Sequence, residues 1–361
     1  MKIVCYINKI SHGGAERVMS VLANHLVSRG HEVILVVDYN TDNQYKLDSR
    51  IDLISLEGRF VKGKSAGGVR SFISRIRKIR HIIKETEADI IISFIREVNF
   101  RALLATVFTR TKNLIYVIID PKRAYKNRAI ELLAKILYST SDGCVFQTPE
   151  AQSFYPYIIR RKSKVLYNPV SKSFFDVTRD CFEKTIVTCG RLVSQKNHSV
   201  LINAFSKLDK AFDEFKLLIY GEGELKEELE CQIKKLGIEG KVKLMGRCDD
   251  IPNAIKNASL FVLSSDFEGL PNSLMEAMAL GLPCVSTDCG GGGARFLIED
   301  MKNGLLVKCN DTDEMKNALE KCLKDKDFAN RISLNARKTA GDFSVEKIID
   351  KWENYIKEII E

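Results

Sequence analysis

No run of the roughly 18 uninterrupted apolar residues needed to span a bilayer occurs in these 361 residues. The sequence enters a strand-like run at once, Lys2–Ile7, so no signal peptide is expected. Ten cysteines are present without a Cys-x-x-Cys pair, which removes the common zinc and thiol-redox signatures. Several of them (Cys5, Cys144, Cys284, Cys309) lie in or beside apolar runs and read as small core residues kept reduced, which favours a cytoplasmic location. No strand-like run is followed by Gly-x-Gly-x-x-Gly. Gly221-Glu-Gly223 lacks the third glycine and leads into a charged helix, so hydride transfer on a dinucleotide is a weak competitor. No His/Asp/Cys cluster has metal-ligand spacing, and no nucleic-acid motif or aromatic platform is visible.

The length suggests two domains, and the composition suits sizeable cores. Charge divides unevenly. Residues 1–168 hold 28 Lys and Arg against 15 Asp and Glu, while the remaining 193 residues hold 28 against 32. The first half is therefore expected to meet something anionic.

Both halves alternate short apolar runs with amphipathic helices, the pattern of a doubly wound parallel sheet. Strands are predicted over Lys2–Ile7, 31–38, 88–94, 114–119, 143–147 and 164–167, then over 185–188, Lys216–Tyr220, 241–245, 260–264, 283–287 and 305–308. Helices include 15–29, closed by Gly30, and 225–236, closed by Gly237. The expected organisation is a Rossmann-like domain over 1–168, a second over 169–342 and a C-terminal segment over 343–361. Ligands of such sheets bind outside the strand C-termini.

Three loops carry the candidate chemistry. Ser11-His-Gly-Gly-Ala-Glu-Arg17 joins the first strand to the first helix, and its Gly13 and Gly14 allow a ligand to approach the backbone. Gly190-Arg-Leu-Val-Ser-Gln-Lys-Asn-His198 places a guanidinium fork (Arg191) and a point charge (Lys196) after a strand, a natural clamp for a diphosphate. Taken singly, these would be a tight turn and two solvated charges. Ser264-Ser-Asp-Phe-Glu-Gly-Leu-Pro-Asn-Ser-Leu-Met-Glu276 sets Glu268 in a loop and Glu276 in the helix it opens. Free N–H groups at that helix start suit a phosphate, and the two carboxylates suit sugar hydroxyls. Asp311-Thr-Asp313 spells Asp-x-Asp but precedes a helical run and reads as an N-cap.

This Glu-x7-Glu segment, with the Gly-Arg-Leu loop and the first-domain glycine loop, resembles the retaining nucleotide-sugar glycosyltransferases of family 4 over essentially the full length. The resemblance implies the GT-B fold: two facing Rossmann-like, doubly wound parallel-sheet domains, with a C-terminal crossover helix packing back on the first. It implies that the first domain binds acceptor and the second binds the nucleotide sugar. Arg191 and Lys196 would hold the donor diphosphate, Glu268 the transferred sugar and Glu276 the ribose, with Gly13, Gly14, Gly190 and the Gly269, Leu270, Pro271 and Asn272 backbone close to the donor. Gly246 and Arg247 lie where the family binds the base. His12, Glu16 and Asp120 are acceptor-side candidates. No metal ion or other cofactor is implied.

Two segments depart from the family pattern. Ile119-Asp120-Pro121-Lys-Arg123 stands where relatives place a histidine or Arg-x-Asp-Pro, and Cys289-Gly-Gly-Gly-Gly-Ala-Arg295 replaces a Gly-Pro-x-Glu segment. The Gly290–Gly293 run therefore has no assigned partner. In the basic half, Val69, Phe72, Ile73, Ile76, Ile79 and Ile83 fall on one helix face, with Arg70, Arg75, Arg77, Lys78, Arg80 and Lys84 around it. With Lys122, Arg123, Lys126, Arg128 and 160–162, this rim is expected to rest on an anionic membrane surface rather than on nucleic acid. The expected reaction is retaining transfer of a hexose or N-acetylhexosamine from a nucleotide diphosphate, UDP before GDP. The expected acceptor is a polyprenyl-diphosphate-linked saccharide in bacterial surface polysaccharide. Two rivals stay open: a GT-B sugar-nucleotide epimerase and a non-catalytic nucleotide-sugar sensor.

Overall fold

A computed structural model describes residues 1–11, 13–41, 45–57, 68–118, 125, 127–179 and 181–361. They form two compact units, Met1–Pro169 with Glu346–Glu361, and Val170–Val345.

In the first unit the described strands are β1 (Lys2–Ile7), β2 (Glu32–Val37), β3 (Asp52–Ser55), β4 (Ile90–Phe94), β5 (Lys112–Val117), β6 (Gly143–Phe146) and β7 (Ser163–Val165). They lie in the order β3-β2-β1-β4-β5-β6-β7, all pairs parallel. β1 is central, with Val4 opposite Ile34 on one side and Ile91 on the other. Ile3 to Ile7 are fully buried, which is why β1 reads as an unbroken apolar run rather than an alternating one. β3 was not among the expected strands. Its Asp-Leu-Ile-Ser is short and half-exposed at the sheet edge, too weak a pattern to stand out.

The helix Val345–Ile360 completes this unit. Ile348, Ile349, Trp352, Tyr355 and Ile356 are all buried, one apolar face at helical spacing. The Trp352 ring lies 5.4 Å from Tyr116 and 6.0 Å from Phe94 between centroids. The Cys144 amide donates to Tyr355 Oη at 3.1 Å, and Arg29 pairs with Glu353 at 2.6 Å.

The helix Val69–Glu85 corrects part of the expected basic rim. Ile79 and Ile83 are buried, but Val69 and Ile73 are exposed. Arg75 is buried instead, donating to Glu57 at 2.6 Å and to Asp38 at 3.2 Å. Asp38 also accepts from Arg101 at 2.8 Å and from Tyr6 at 2.7 Å. Arg80 is turned onto the carbonyls of Leu104, Ala105 and Val107. Two carboxylates beside β2 and β3 draw Arg75 inward, because a buried charge needs a partner. Lys78 Nζ likewise donates to the carbonyl of buried Leu56 at 2.6 Å, so three of the six expected rim cations are tied back onto the fold.

In the second unit the described strands are β8 (Glu183–Cys189), β9 (Lys216–Tyr220), β10 (Val242–Gly246), β11 (Ala258–Leu263), β12 (Cys284–Thr287) and β13 (Leu305–Val307). Their order is β10-β9-β8-β11-β12-β13, again parallel. Ile186, Leu217, Ile219, Leu260, Val262 and Val285 from the strands join Leu201, Met315, Leu319 and Ile332 from helices in one core. Each sheet changes winding direction beside its first strand, between β1 and β4 and between β8 and β11. That switch is where open parallel sheets bind ligands.

Candidate active site

The switch point of the second unit gathers most of the candidates. β8 ends at Cys189, and Gly190 and Arg191 follow it. A turn of 3-10 helix, Ser194–Lys196, leads through left-handed Asn197 (φ 43°) into the helix His198–Ser206. Next to it, β11 ends at Leu263, and the loop beyond it opens the helix Asn272–Ala279.

Five hydrogen bonds join the two loops. Ser264 Oγ donates to the Lys196 carbonyl at 2.9 Å, and the Asp266 amide to the Gln195 carbonyl at 2.9 Å. Gln195 Nε2 donates to the Phe267 carbonyl at 2.9 Å, and Asn197 Nδ2 to Asp266 Oδ1 at 2.8 Å. Lys196 Nζ then lies 2.5 Å from Glu268 Oε1, which also accepts from Ser265 Oγ at 2.8 Å. A charge-assisted bond of this length, largely shielded from water, fixes both side chains.

The glycine run left unassigned in the sequence has a structural role here. The Glu268 amide donates to the Gly290 carbonyl at 2.9 Å. A Cβ on Gly291, whose φ is +96°, would fall 2.0 Å from the Glu268 carbonyl oxygen, and one on Gly293 would fall 1.5 Å from that of Gly269. The run is the floor under the Glu268 loop, and side chains there would push the loop away.

Glu276 is buried on the second turn of its helix, and Leu270 and Pro271 are buried at its start. Arg191 is exposed. Its carbonyl faces Nε2 of buried His198 at 3.3 Å. Burial pushes the His198 imidazole down to about 4, and Nδ1 has no partner, so the ring is neutral with its proton on Nε2. His198 is a positioning residue for the Arg191 loop that sequence reasoning passed over. Its signal was only that it opens a helix. Gly246 ends β10 with φ +70°, and exposed Arg247 donates to Asp249 at 3.0 Å. They lie on the same sheet, two strands from β8.

In the first unit, Gly13 and Gly14 follow β1 and open the helix Gly14–Ser28. The Glu16 carboxylate is buried and folds back on that end, where a Cβ on Gly13 would fall 1.9 Å from it. There it complements the positive end of the helix. His12 and Asp120 lie outside the described residues. After β4, Ile95 adopts φ 75°, a conformation costly for a β-branched residue, at this sheet's own switch point. No sequence signal marked it. Asp311 accepts from the Glu314 amide at 2.8 Å as an N-cap, and Asp313 pairs with Lys207 at 2.7 Å, so the two do not converge.

The model for glycosyl transferases group 1 matches residues 171–339, and that for glycosyltransferase family 4 matches residues 12–173. The chain is 31% identical, over 99% of both chains, to a Campylobacter jejuni GalNAc-alpha-(1->4)-GalNAc-alpha-(1->3)-diNAcBac-PP-undecaprenol alpha-1,4-N-acetyl-D-galactosaminyltransferase. This chain belongs to glycosyltransferase family 4.

A second Campylobacter jejuni relative of the glycosyltransferase is an N-acetylgalactosamine-N,N'-diacetylbacillosaminyl-diphospho-undecaprenol 4-alpha-N-acetylgalactosaminyltransferase, 28% identical over 96% of this chain and 97% of the relative. Among solved structures, Anabaena HepE in complex with UDP-glucose superposes with a TM-score of 0.84 at 19% identity, covering 99% of this chain and 100% of the other. TarM superposes with a TM-score of 0.81 at 16% identity, covering 98% of each. At these identities the likeness speaks for the fold, which is GT-B: two Rossmann-like parallel-sheet units.

Proposed function

We propose that this glycosyltransferase moves a hexose or N-acetylhexosamine, with retention, from a UDP-linked donor to a polyprenyl-diphosphate-linked saccharide. The product would serve bacterial surface polysaccharide. The observation that supports this most is the pairing of Lys196 with Glu268 at the switch point of the second unit, beside Arg191 and the helix start at Asn272. Cations and free N–H groups there suit a diphosphate, and carboxylates suit the sugar and ribose hydroxyls. The names of the two Campylobacter relatives support a lipid-diphosphate acceptor, and the UDP-glucose complex of HepE supports a UDP donor. The basic surplus of the first half supports work at the cytoplasmic face of an anionic membrane.

In this reading the acceptor oxygen bonds to the anomeric carbon while the bond from that carbon to the β-phosphate oxygen breaks. The acceptor proton passes to the departing β-phosphate oxygen on the same face. Arg191 and Lys196 supply counter-charge where negative charge grows, and stabilisation of that kind lowers the barrier. The resemblance requires no metal for this step. Calorimetric titration with UDP, GDP and their sugars tests the reading. UDP binding strengthened by one sugar is the expected result, and binding of none of them would overturn it.

A further inference from the structure

The helix Arg128–Ser139 is apolar on both sides. Ala134 and Tyr138 face inward, in a cluster with Phe100, Ile115, Phe146 and Ile159. On the outward side Leu132 is 60% exposed, Ile136 56% and Leu133 47%. With Ala129, also exposed, they fall within a single sector at 100° per residue. Arg128, Glu131, Lys135 and Ser139 form a polar stripe between these two apolar sides, so the outward apolar side is in excess of what the core uses. Among the described residues nothing covers this one. The neighbouring helix Tyr157–Arg160 adds Tyr157, 71% exposed, and Ile158, 47% exposed. Large apolar side chains exposed side by side on a folded protein point to a binding face.

The surroundings choose the partner. Arg128, Arg160 and Arg161 are exposed near this surface, and none of them is in an ion pair among the described residues. On the same helix, Glu131 is already paired with Lys135 at 2.5 Å. Apolar side chains rimmed by unpaired arginines complement a layer with anionic headgroups over hydrocarbon. A second copy of the chain would set the same arginines against each other, and like charges oppose such contact.

We infer that the Leu132–Ile136 face, with Tyr157 and Ile158 beside it, inserts into an anionic lipid bilayer. The inference rests on the reading that the acceptor is lipid-linked, and it places membrane contact here rather than on the helix Val69–Glu85. It also assigns the binding an apolar component, which salt does not screen, beside an ionic component, which salt does.

The test is sedimentation of the full chain with phosphatidylethanolamine vesicles, with and without phosphatidylglycerol. Wild type is expected to bind the phosphatidylglycerol vesicles and to keep part of that binding in high salt. The double variant Leu132→Gln/Ile136→Gln is expected to lose about tenfold or more in vesicle affinity, since burial of two apolar side chains is forgone. Arg160→Ala/Arg161→Ala is expected to weaken binding and flatten its salt dependence. Ile136→Trp is expected to shift its emission to the blue with vesicles and to be quenched by brominated lipid, against the already buried Trp352. All variants should keep the wild-type melting temperature and UDP affinity. The inference is overturned if the glutamine variant binds vesicles like wild type, or if Ile136→Trp emission does not move. It is also overturned if the wild type ignores vesicles and the glutamine variant instead splits a dimer. Loss of UDP binding by wild type would count against the donor reading, and the vesicle result would stand apart from it.

Discussion

Lys196 Nζ and Glu268 Oε1 lie 2.5 Å apart, although 72 residues separate them in the chain. The two are paired, so under the proposed function an arriving diphosphate sugar meets an ion pair rather than a bare cation. Glu268→Ala is expected to cut transfer by about 100-fold or more while UDP affinity changes less than about tenfold, because the proposed function gives it the sugar rather than the nucleotide. Lys196→Ala should weaken UDP binding as well as transfer. Steady-state kinetics with UDP calorimetry separates the two. An equal loss of nucleotide binding in Glu268→Ala would remove its assignment to the sugar.

The glycine floor makes a sharper demand. Gly293→Ala would put a methyl carbon 1.5 Å from the Gly269 carbonyl oxygen, and Gly291→Ala one 2.0 Å from that of Glu268. Overpacking of this kind costs about 1–3 kcal/mol or more. Both variants are expected to melt earlier and to lose transfer. Gly341→Ala, where nothing lies within 4 Å, is the control and should do neither. Thermal unfolding and the transfer assay read both effects.

Stability should fall with acid through His198. Its folded value of about 4 lies below the ordinary value of 6.5, so between those limits the unfolded chain binds the extra proton. The contribution is fully present above about pH 6.5 and is lost as pH drops toward 4, by up to about 3 kcal/mol. Urea unfolding at pH 7 and pH 5 should show a smaller difference for His198→Leu than for wild type. An unchanged difference would mean the imidazole is not held neutral.

Trp352 is the single tryptophan and is 1% exposed. Trp352→Ala is expected to cost about 3–5 kcal/mol in chemical unfolding, the usual cost of emptying a large aromatic site. Wild-type emission should be blue-shifted in the folded state and move to the red on unfolding.

The elements legible in the sequence were those whose signal is local. β1 and β11 are buried on both faces and read as apolar runs. The helix of Trp352 shows its face by spacing alone. Arg191, Lys196 and Glu268 stood out because their motifs resemble a known family. β3 is too short and too exposed to show a period. Arg75 looked like a surface cation because its carboxylate partners, Asp38 and Glu57, lie 37 and 18 residues away. The glycine run was visible, but the carbonyls it makes room for were not. The tie from Gln195 to Phe267 spans 72 residues, and the one from His198 to Arg191 is local but runs to a loop carbonyl, so neither leaves a periodic trace. Leu132 and Ile136 carried no signal of their own, since an apolar position on a helix cannot be told from core until its surroundings are placed.

The first unit is made of two stretches of chain, Met1–Pro169 and Glu346–Glu361, with all of Val170–Val345 between them. On a ribosome adding about 5–20 residues per second, some ten to thirty-five seconds separate the two stretches. For that interval the surface destined for Trp352, including Phe94 and Tyr116, has no helix to cover it. The second unit can therefore mature first, and the half that comes off the ribosome earliest is the last to be finished. A nascent chain stalled before Glu346 would present an unfilled apolar groove to chaperones and proteases.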